Sequence, residues 1–245
     1  MATVLEVLPQ SVLVNSVVKN LTAMATRAWK QRWIITFTAA TGVGKTKAIE
    51  YAERALPFPH RVIACKQITT RYTILRAIGL EPGQTWKTHG RNWSNSAALY
   101  EQAVERAKQS PYLLIFDEAD RLRMDCFEML RDLWDDARLP MLLVGNEVLT
   151  EKINRQHERL FRRIRARFDQ KPLREAELRQ TLEFMSYEVS DEEFDFLWKL
   201  VGGSPGFAEA LLENAEAIAE TNSVKRNLAA LAGAAKYFPS LAKKL

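Results

Sequence analysis

Two glycines, a lysine and a threonine fall in the order Gly42-Val43-Gly44-Lys45-Thr46, just after the apolar run Trp33 to Phe37 and the residues Thr38-Ala39-Ala40-Thr41. The pattern reads as a strand, a glycine-bearing loop and the start of a helix. Backbone N–H groups of such a loop and of the first helical turn point at phosphate oxygens. Thr41 to Gly44 supply the cradle, Lys45 a positive charge at the β- and γ-phosphates, and the Thr46 hydroxyl a ligand for Mg²⁺. The spacing departs from G-x-x-x-x-G-K-[ST] at one place, because Ala39 stands where the first glycine belongs. Alanine serves there only if the backbone avoids positive φ.

A second cluster lies about seventy residues on. Leu113-Leu114-Ile115-Phe116 is short, unbroken and apolar, and it ends in Asp117-Glu118-Ala119-Asp120. Continuous hydrophobicity over so few residues predicts a strand buried on both faces of a parallel sheet. Acidic residues at its C-terminal end sit where α/β folds bind ligands. Asp117 is placed to hold the Mg²⁺ water shell, and Glu118 to orient or deprotonate an attacking water. A third run, Met141 to Val144, ends in Gly145-Asn146 and brings a side-chain amide near the γ-phosphate. A helix cap at Asp117 and a turn at Gly145-Asn146 are the plainer readings. Three strand ends in this order outweigh them, and ATP with Mg²⁺ is the expected ligand.

The elements that must position these residues follow from periodicity. Ser11 to Lys30 carries apolar residues at helical spacing, Lys47 to Ala55 continues the loop as a helix, and Arg61 to Cys65 is a strand. Helices are expected over Thr70 to Ile78, Ser96 to Gln109, Leu122 to Ala137 and Glu147 to Arg163, with a last strand over Arg167 to Pro172. Glu81 to Asn95, with Pro82, Gly83 and Gly90, reads as a loop or hairpin insertion. From Leu173 onward only amphipathic helices are predicted. The chain thus divides into an α/β core over 1–172, with an N-terminal helix, and a small helical lid with a basic tail over 173–245.

The 245 residues have ample apolar content for a core and a net charge of +5, which favours an anionic partner. No run is long enough to span a bilayer, and the first residues lack a signal-peptide pattern, so no membrane role and a cytoplasmic setting are expected. Cys65 and Cys126 read as buried free thiols, and the three histidines form no metal constellation. Cations gather at Arg159 to Arg174 and at Lys87 to Arg91, the latter between Trp86 and Trp93.

The order strand–P-loop, acidic strand, Asn-ended strand, arginine-rich helix end and helical lid resembles the AAA+ ATPases. Within them the chain is similar to the Mu B, TnsC and TniB group, ATPases that choose DNA targets for transposases. The resemblance runs from about Trp33 to Leu212 and rests on the P-loop, on Ile115-Phe116-Asp117-Glu118-Ala119-Asp120-Arg121-Leu122, on Leu143-Val144-Gly145-Asn146, on Arg159-Leu160-Phe161-Arg162-Arg163-Ile164 and on Pro205-Gly206. It implies a hexameric ring or helical filament on duplex DNA that recruits a transposase, with a further targeting protein as an additional partner. It also implies that Arg163 is the arginine finger offered to a neighbouring subunit, with Arg162 and Arg167 as rivals.

DNA contact, on the same comparison, falls on Lys66, Thr69, Thr70, Arg71, Lys87 and Arg91. Gly206-Phe207 occupies the place of a nucleotide-sensing arginine in many lids, so that sensor is expected to be missing. No stretch here matches the separate helix-turn-helix domain of the Mu protein, so DNA binding is expected from the ATPase core. Two other readings stand beside this one: a replication initiator or helicase loader, and a P-loop small-molecule kinase. A helicase reading of the literal Asp-Glu-Ala-Asp string needs a second motor domain for which there is no room.

Overall fold

The structure, a computed structural model, describes residues 13–79 and 96–242. Five strands, β1 (Ile34–Ala39), β2 (His60–Ala64), β3 (Leu113–Asp117), β4 (Met141–Gly145) and β5 (Ile164–Gln170), form one sheet in the order β2-β3-β4-β1-β5. Every pairing is parallel. β1, β3 and β4 are buried along their whole length, as helices on both faces require. β5, at an edge, alternates instead and leaves Arg165, Arg167 and Asp169 exposed.

Alternate residues of the central strands feed two cores. Ile35, Phe37, Ile115, Leu142 and Val144 pack against α1 (Ser16–Gln31) and α2 (Lys45–Ala55). Ile34, Leu114, Phe116, Met141 and Leu143 pack against α3 (Arg71–Gly79), α4 (Ser96–Gln109), α5 (Met124–Ala137), α6 (Val148–Gln156) and α7 (Glu158–Phe161). α1 starts where the Asn15 side chain accepts the Val18 N–H at 3.1 Å and buries Val17, Val18, Leu21, Ala25 and Ala28, the i, i+3/i+4 stripe of one helix face.

The chain then runs into α8 (Glu175–Phe184), α9 (Asp191–Val201), α10 (Pro205–Thr221), α11 (Leu228–Ala235) and the single turn α12 (Pro239–Ala242). Their apolar faces join the core of α1 and α2 through Leu178, Phe194, Leu211 and Leu231. The Leu173 N–H donates to the Gly203 carbonyl at 2.9 Å. Gly203 has φ +87°, and a Cβ there would lie 2.1 Å from the Leu173 carbonyl oxygen, so only glycine fits.

Two expected elements are corrected. The helix over Glu147 to Arg163 is two helices broken at His157, whose backbone (φ −138°, ψ 52°) leaves the helical region. The last strand begins three residues earlier than its apolar pattern indicated, at Ile164, because β5 pairs among the described residues with β1 alone and tolerates arginines on its open side. The insertion at Glu81 to Asn95 lies outside the described residues.

Candidate nucleotide site

The loop between β1 and α2 opens at the C-terminal edge of the sheet. Gly42 and Gly44 have φ of +80° and +97°, the left-handed region that glycine enters without steric cost. Ala39 is the last residue of β1 and is not among the positive-φ residues, so its methyl group is accommodated where the motif has glycine. Val43, 1% exposed, pins the loop into the core. The Lys45 ammonium donates to the carbonyls of Ala39 at 2.8 Å and Ala40 at 2.9 Å. Burial lowers its pKa from 10.5, opposed by the carboxylates of Asp120, Asp117, Glu118 and Glu147.

The acidic strand end lies directly across. The Thr46 hydroxyl donates to Asp117 Oδ2 at 2.8 Å, and Asp117 Oδ1 accepts the Glu118 N–H at 2.9 Å. Asp117 is 6% exposed, so its charge is steered by these two donors. Glu118 turns the chain out of β3 with φ 54°, a conformation that costs a non-glycine residue about 1–2 kcal/mol. Arg121, one turn on, holds the Glu118 carboxylate at 3.1 Å. Asn146 is gripped by Asp120, which accepts its N–H at 3.0 Å and its amide Nδ2 at 3.1 Å. Lys152 ties down the same turn by donating to the carbonyls of Asp120 and Leu122 at 2.8 and 2.6 Å.

These groups surround a cleft of about 480 Å³. Its far wall is built from Asn15, Val18, Tyr51, Thr181, Phe184 and Met185, apolar and amide groups suited to a base. α10 meets the loop at Pro205-Gly206, where the Gly206 N–H donates to the Gly42 carbonyl at 2.9 Å. Thr46 and Asp117 meet the requirement for Mg²⁺: two hard oxygen donors side by side, on an ion that keeps most of its waters.

Sequence reasoning located Thr41 to Thr46, Asp117, Glu118 and Asn146, and the fold brings all of them to this one cleft. It missed Asp120 and Arg121, although both stand in the acidic motif itself. It also missed the far wall, whose α1 and α8 sides are joined where the Ser16 N–H donates to Glu177 Oε1 at 2.8 Å, 161 residues on.

The remaining expected residues lie elsewhere. Arg163 is clamped by Asp135 of α5, with Nε to Oδ1 at 3.1 Å and Nη2 to Oδ2 at 2.8 Å. Arg162 pairs with Glu158, and Arg167 lies over the Phe161 ring at 3.8 Å. None of the three lines the cleft. Lys66 is exposed in the β2–α3 loop, and Arg71, the first residue of α3, pairs with Asp125 at 3.3 Å. Thr69 is buried, and its hydroxyl accepts the Lys66 N–H at 2.8 Å. Thr70 caps α3, its hydroxyl accepting the Thr73 N–H at 3.3 Å. Lys87 and Arg91 lie outside the described residues.

The AAA domain family profile matches residues 27–153, just over half of the chain. The Mu-like prophage FluMu DNA transposition protein B of Haemophilus influenzae is 31% identical over 114 residues, which are 46% of this chain and 38% of that protein. The chain therefore aligns with well under half the length of that curated relative. The ORC1 protein of Aeropyrum pernix, in complex with DNA, superposes with a TM-score of 0.67 at 17% identity, covering 92% of this chain and 66% of that one. A Walker-type ATPase of Pyrococcus abyssi follows at 0.63 and 14% identity, covering 89% and 71%. The RuvB Holliday junction branch migration motor of Thermotoga maritima gives 0.57 at 17% identity, covering 90% and 68%. At such identities the three structures speak for the fold alone. With a parallel five-stranded sheet, the P-loop and the acidic strand end on one edge and the family match spanning them, the chain belongs to the AAA domain family, as an AAA+ ATPase similar to the Mu-type transposition protein B.

Proposed function

We propose that this protein binds ATP with Mg²⁺, hydrolyses it, and uses its nucleotide state to control assembly into a ring or filament on duplex DNA, where it recruits and activates a transposase. The observation that carries the reading is the meeting of Thr46, Asp117, Glu118 and Asn146 beside the phosphate loop. Thr46 and Asp117 would hold Mg²⁺, which neutralises charge on the β- and γ-phosphate oxygens. Lys45 exchanges the Ala39 and Ala40 carbonyls for phosphate oxygens. Glu118, released by Arg121, takes the proton of the attacking water. Asn146 keeps a second amide hydrogen free of Asp120 for the γ-phosphate or that water. In this reading residues 1–172 are the nucleotide-binding core and 173–245 the lid.

The partners rest on the similarity to a DNA transposition protein. Lys66 and Arg71 then meet DNA phosphates, joined by Lys87 and Arg91, and Arg163 reaches the nucleotide of a neighbouring subunit. A replication-initiator reading draws on the ORC1 likeness in fold. Phosphate release with and without duplex DNA tests the proposal. DNA should stimulate release in the parent, and Glu118→Gln should bind ATP, hydrolyse it poorly and stay on DNA longer. Hydrolysis indifferent to DNA, or parental rates in Glu118→Gln, would count against it. Electron microscopy with duplex DNA and ATP separates a filament from the single-site complex of an initiator.

A further inference from the structure

The opposite edge of the sheet carries a second recess, lined by Gln31, Arg32, Trp33, Trp134, Arg138 and Arg165. Trp33 precedes β1, Arg138 follows α5 shortly before β4, and Arg165 is the second residue of β5, so three strand starts converge there. The guanidinium carbon of Arg138 lies 4.0 Å from the centroid of Trp134, and that of Arg165 lies 5.9 Å from it. Arg27 covers the neighbouring Trp33 ring at 5.0 Å. The Trp134 N–H is already used, donating to the Arg32 carbonyl at 2.9 Å.

These four arginines are exposed, and none of them forms an ion pair among the described residues. Elsewhere Arg121, Arg131, Arg155, Arg162 and Arg163 each hold a carboxylate. The negative ends of α1 and α5, where Arg32 and Arg138 are the C-caps, account for two of the four cations. Arg27 and Arg165 are left without such a counterpart. Rings lie beneath the guanidinium groups of Arg27, Arg138 and Arg165, so little of their side-chain entropy is lost when an anion arrives. With guanidinium groups over their faces, the tryptophans offer no platform for an unpaired base.

We infer that this recess is a second anion site that takes the phosphodiester backbone of duplex nucleic acid without any nucleotide at the P-loop. The choice of DNA as the polyanion rests on the proposed function, while the site itself does not. Contact through guanidinium groups to phosphates positions a duplex and reads no sequence.

The test is fluorescence anisotropy of a labelled 20-base-pair duplex with the nucleotide-free full chain, titrated across salt. Parent protein is compared with Arg32→Gln/Arg138→Gln/Arg165→Gln. Loss of three phosphate contacts should flatten the log–log salt slope by about 2.7, from about 0.9 per phosphate. The loss should be equal on unrelated sequences, with binding of a fluorescent ATP analogue intact. If the arginines only cover the rings, the triple variant loses thermal stability and keeps its salt slope, which overturns the inference. Displacement of the duplex by polyglutamate at equal charge would also overturn it, assigning the recess to an acidic peptide. Should the variant fail to fold, phenylglyoxal labelling of the parent decides. Duplex must slow modification of Arg32, Arg138 and Arg165, and unprotected labelling refutes the site. ATP-dependent assembly on DNA can be absent from the parent without touching these readouts, so the two readings fail separately.

Discussion

Asp120 holds Asn146 at two points, its two carboxylate oxygens accepting the backbone N–H and the side-chain Nδ2 at 3.0 and 3.1 Å. The close approach requires Gly145, where a Cβ would sit 2.7 Å from Asp120 Oδ1. The amide oxygen of Asn146 is also engaged, accepting the Val148 N–H at 3.0 Å. Asp120 is therefore a positioning residue for Asn146.

Asp120→Asn removes the charge and one acceptor. Hydrogen bonds to charged groups are worth about 1.5–3 kcal/mol, which corresponds to about 10–100-fold in rate if the whole effect falls on the transition state. The expected outcome is a fall in kcat of that order with ATP affinity nearly unchanged. Phosphate release and binding of a fluorescent ATP analogue check it. A matching loss of affinity would mean that Asp120 shapes the cleft rather than Asn146.

Arg163 and Asp135 are about one-third exposed, so their pair contributes at most about 1 kcal/mol to stability. Arg163→Ala should leave the thermal midpoint nearly in place yet abolish most ATPase activity. Mixing it with Lys45→Ala subunits should restore part of that activity. Asp135→Asn frees the arginine and should retain or raise activity. Equal losses in Arg163→Ala and Asp135→Asn would mark the pair as structural.

Lys66 lies in the β2–α3 loop and Arg71 opens α3. Lys66→Ala/Arg71→Ala should weaken ATP-dependent DNA binding alike on unrelated sequences and flatten the salt slope by about 1.8, at about 0.9 per phosphate. Filter binding across a salt series gives the slope. A parental slope would remove the loop from the DNA site.

His157 is 1% exposed, with neither ring nitrogen hydrogen-bonded, and it packs on Phe127 at 4.8 Å with Glu128 Oε1 at 3.8 Å. Burial lowers its pKa below 6.5, against the pull of Glu128 and with a smaller push from Lys152. The unfolded chain then binds the proton more readily than the folded one. The stability contribution is complete above pH 6.5 and is lost as pH falls through the folded value. Urea midpoints should drop from pH 7 to pH 5 in the parent and drop less in His157→Leu. Parallel curves would show that other groups govern the acid limb.

The chemistry of the phosphate loop and of the acidic strand end was legible in the sequence because each is local. A strand, its C-terminal loop and the next residues are contiguous, so Lys45, Thr46, Asp117 and Glu118 keep their relation to the sheet wherever the rest of the chain goes. Apolar runs of four or five residues likewise predict strands buried on two faces, as in β3 and β4. Only the tertiary structure decided which of several chemically similar side chains are free. Thr69 and Thr70 both have hydroxyls suited to phosphate, but the fold buries the first and leaves the second half-exposed, each accepting a backbone N–H of its own turn. Arg163 has Asp135 within reach, a carboxylate 28 residues away brought near by helix packing. The wall contributed by Asn15 and Phe184, and the recess shared by Arg32, Trp134 and Arg165, depend on side chains far apart in sequence. Their proximity is set by burial of apolar faces, which fixes where helices lie without marking the polar residues at their ends.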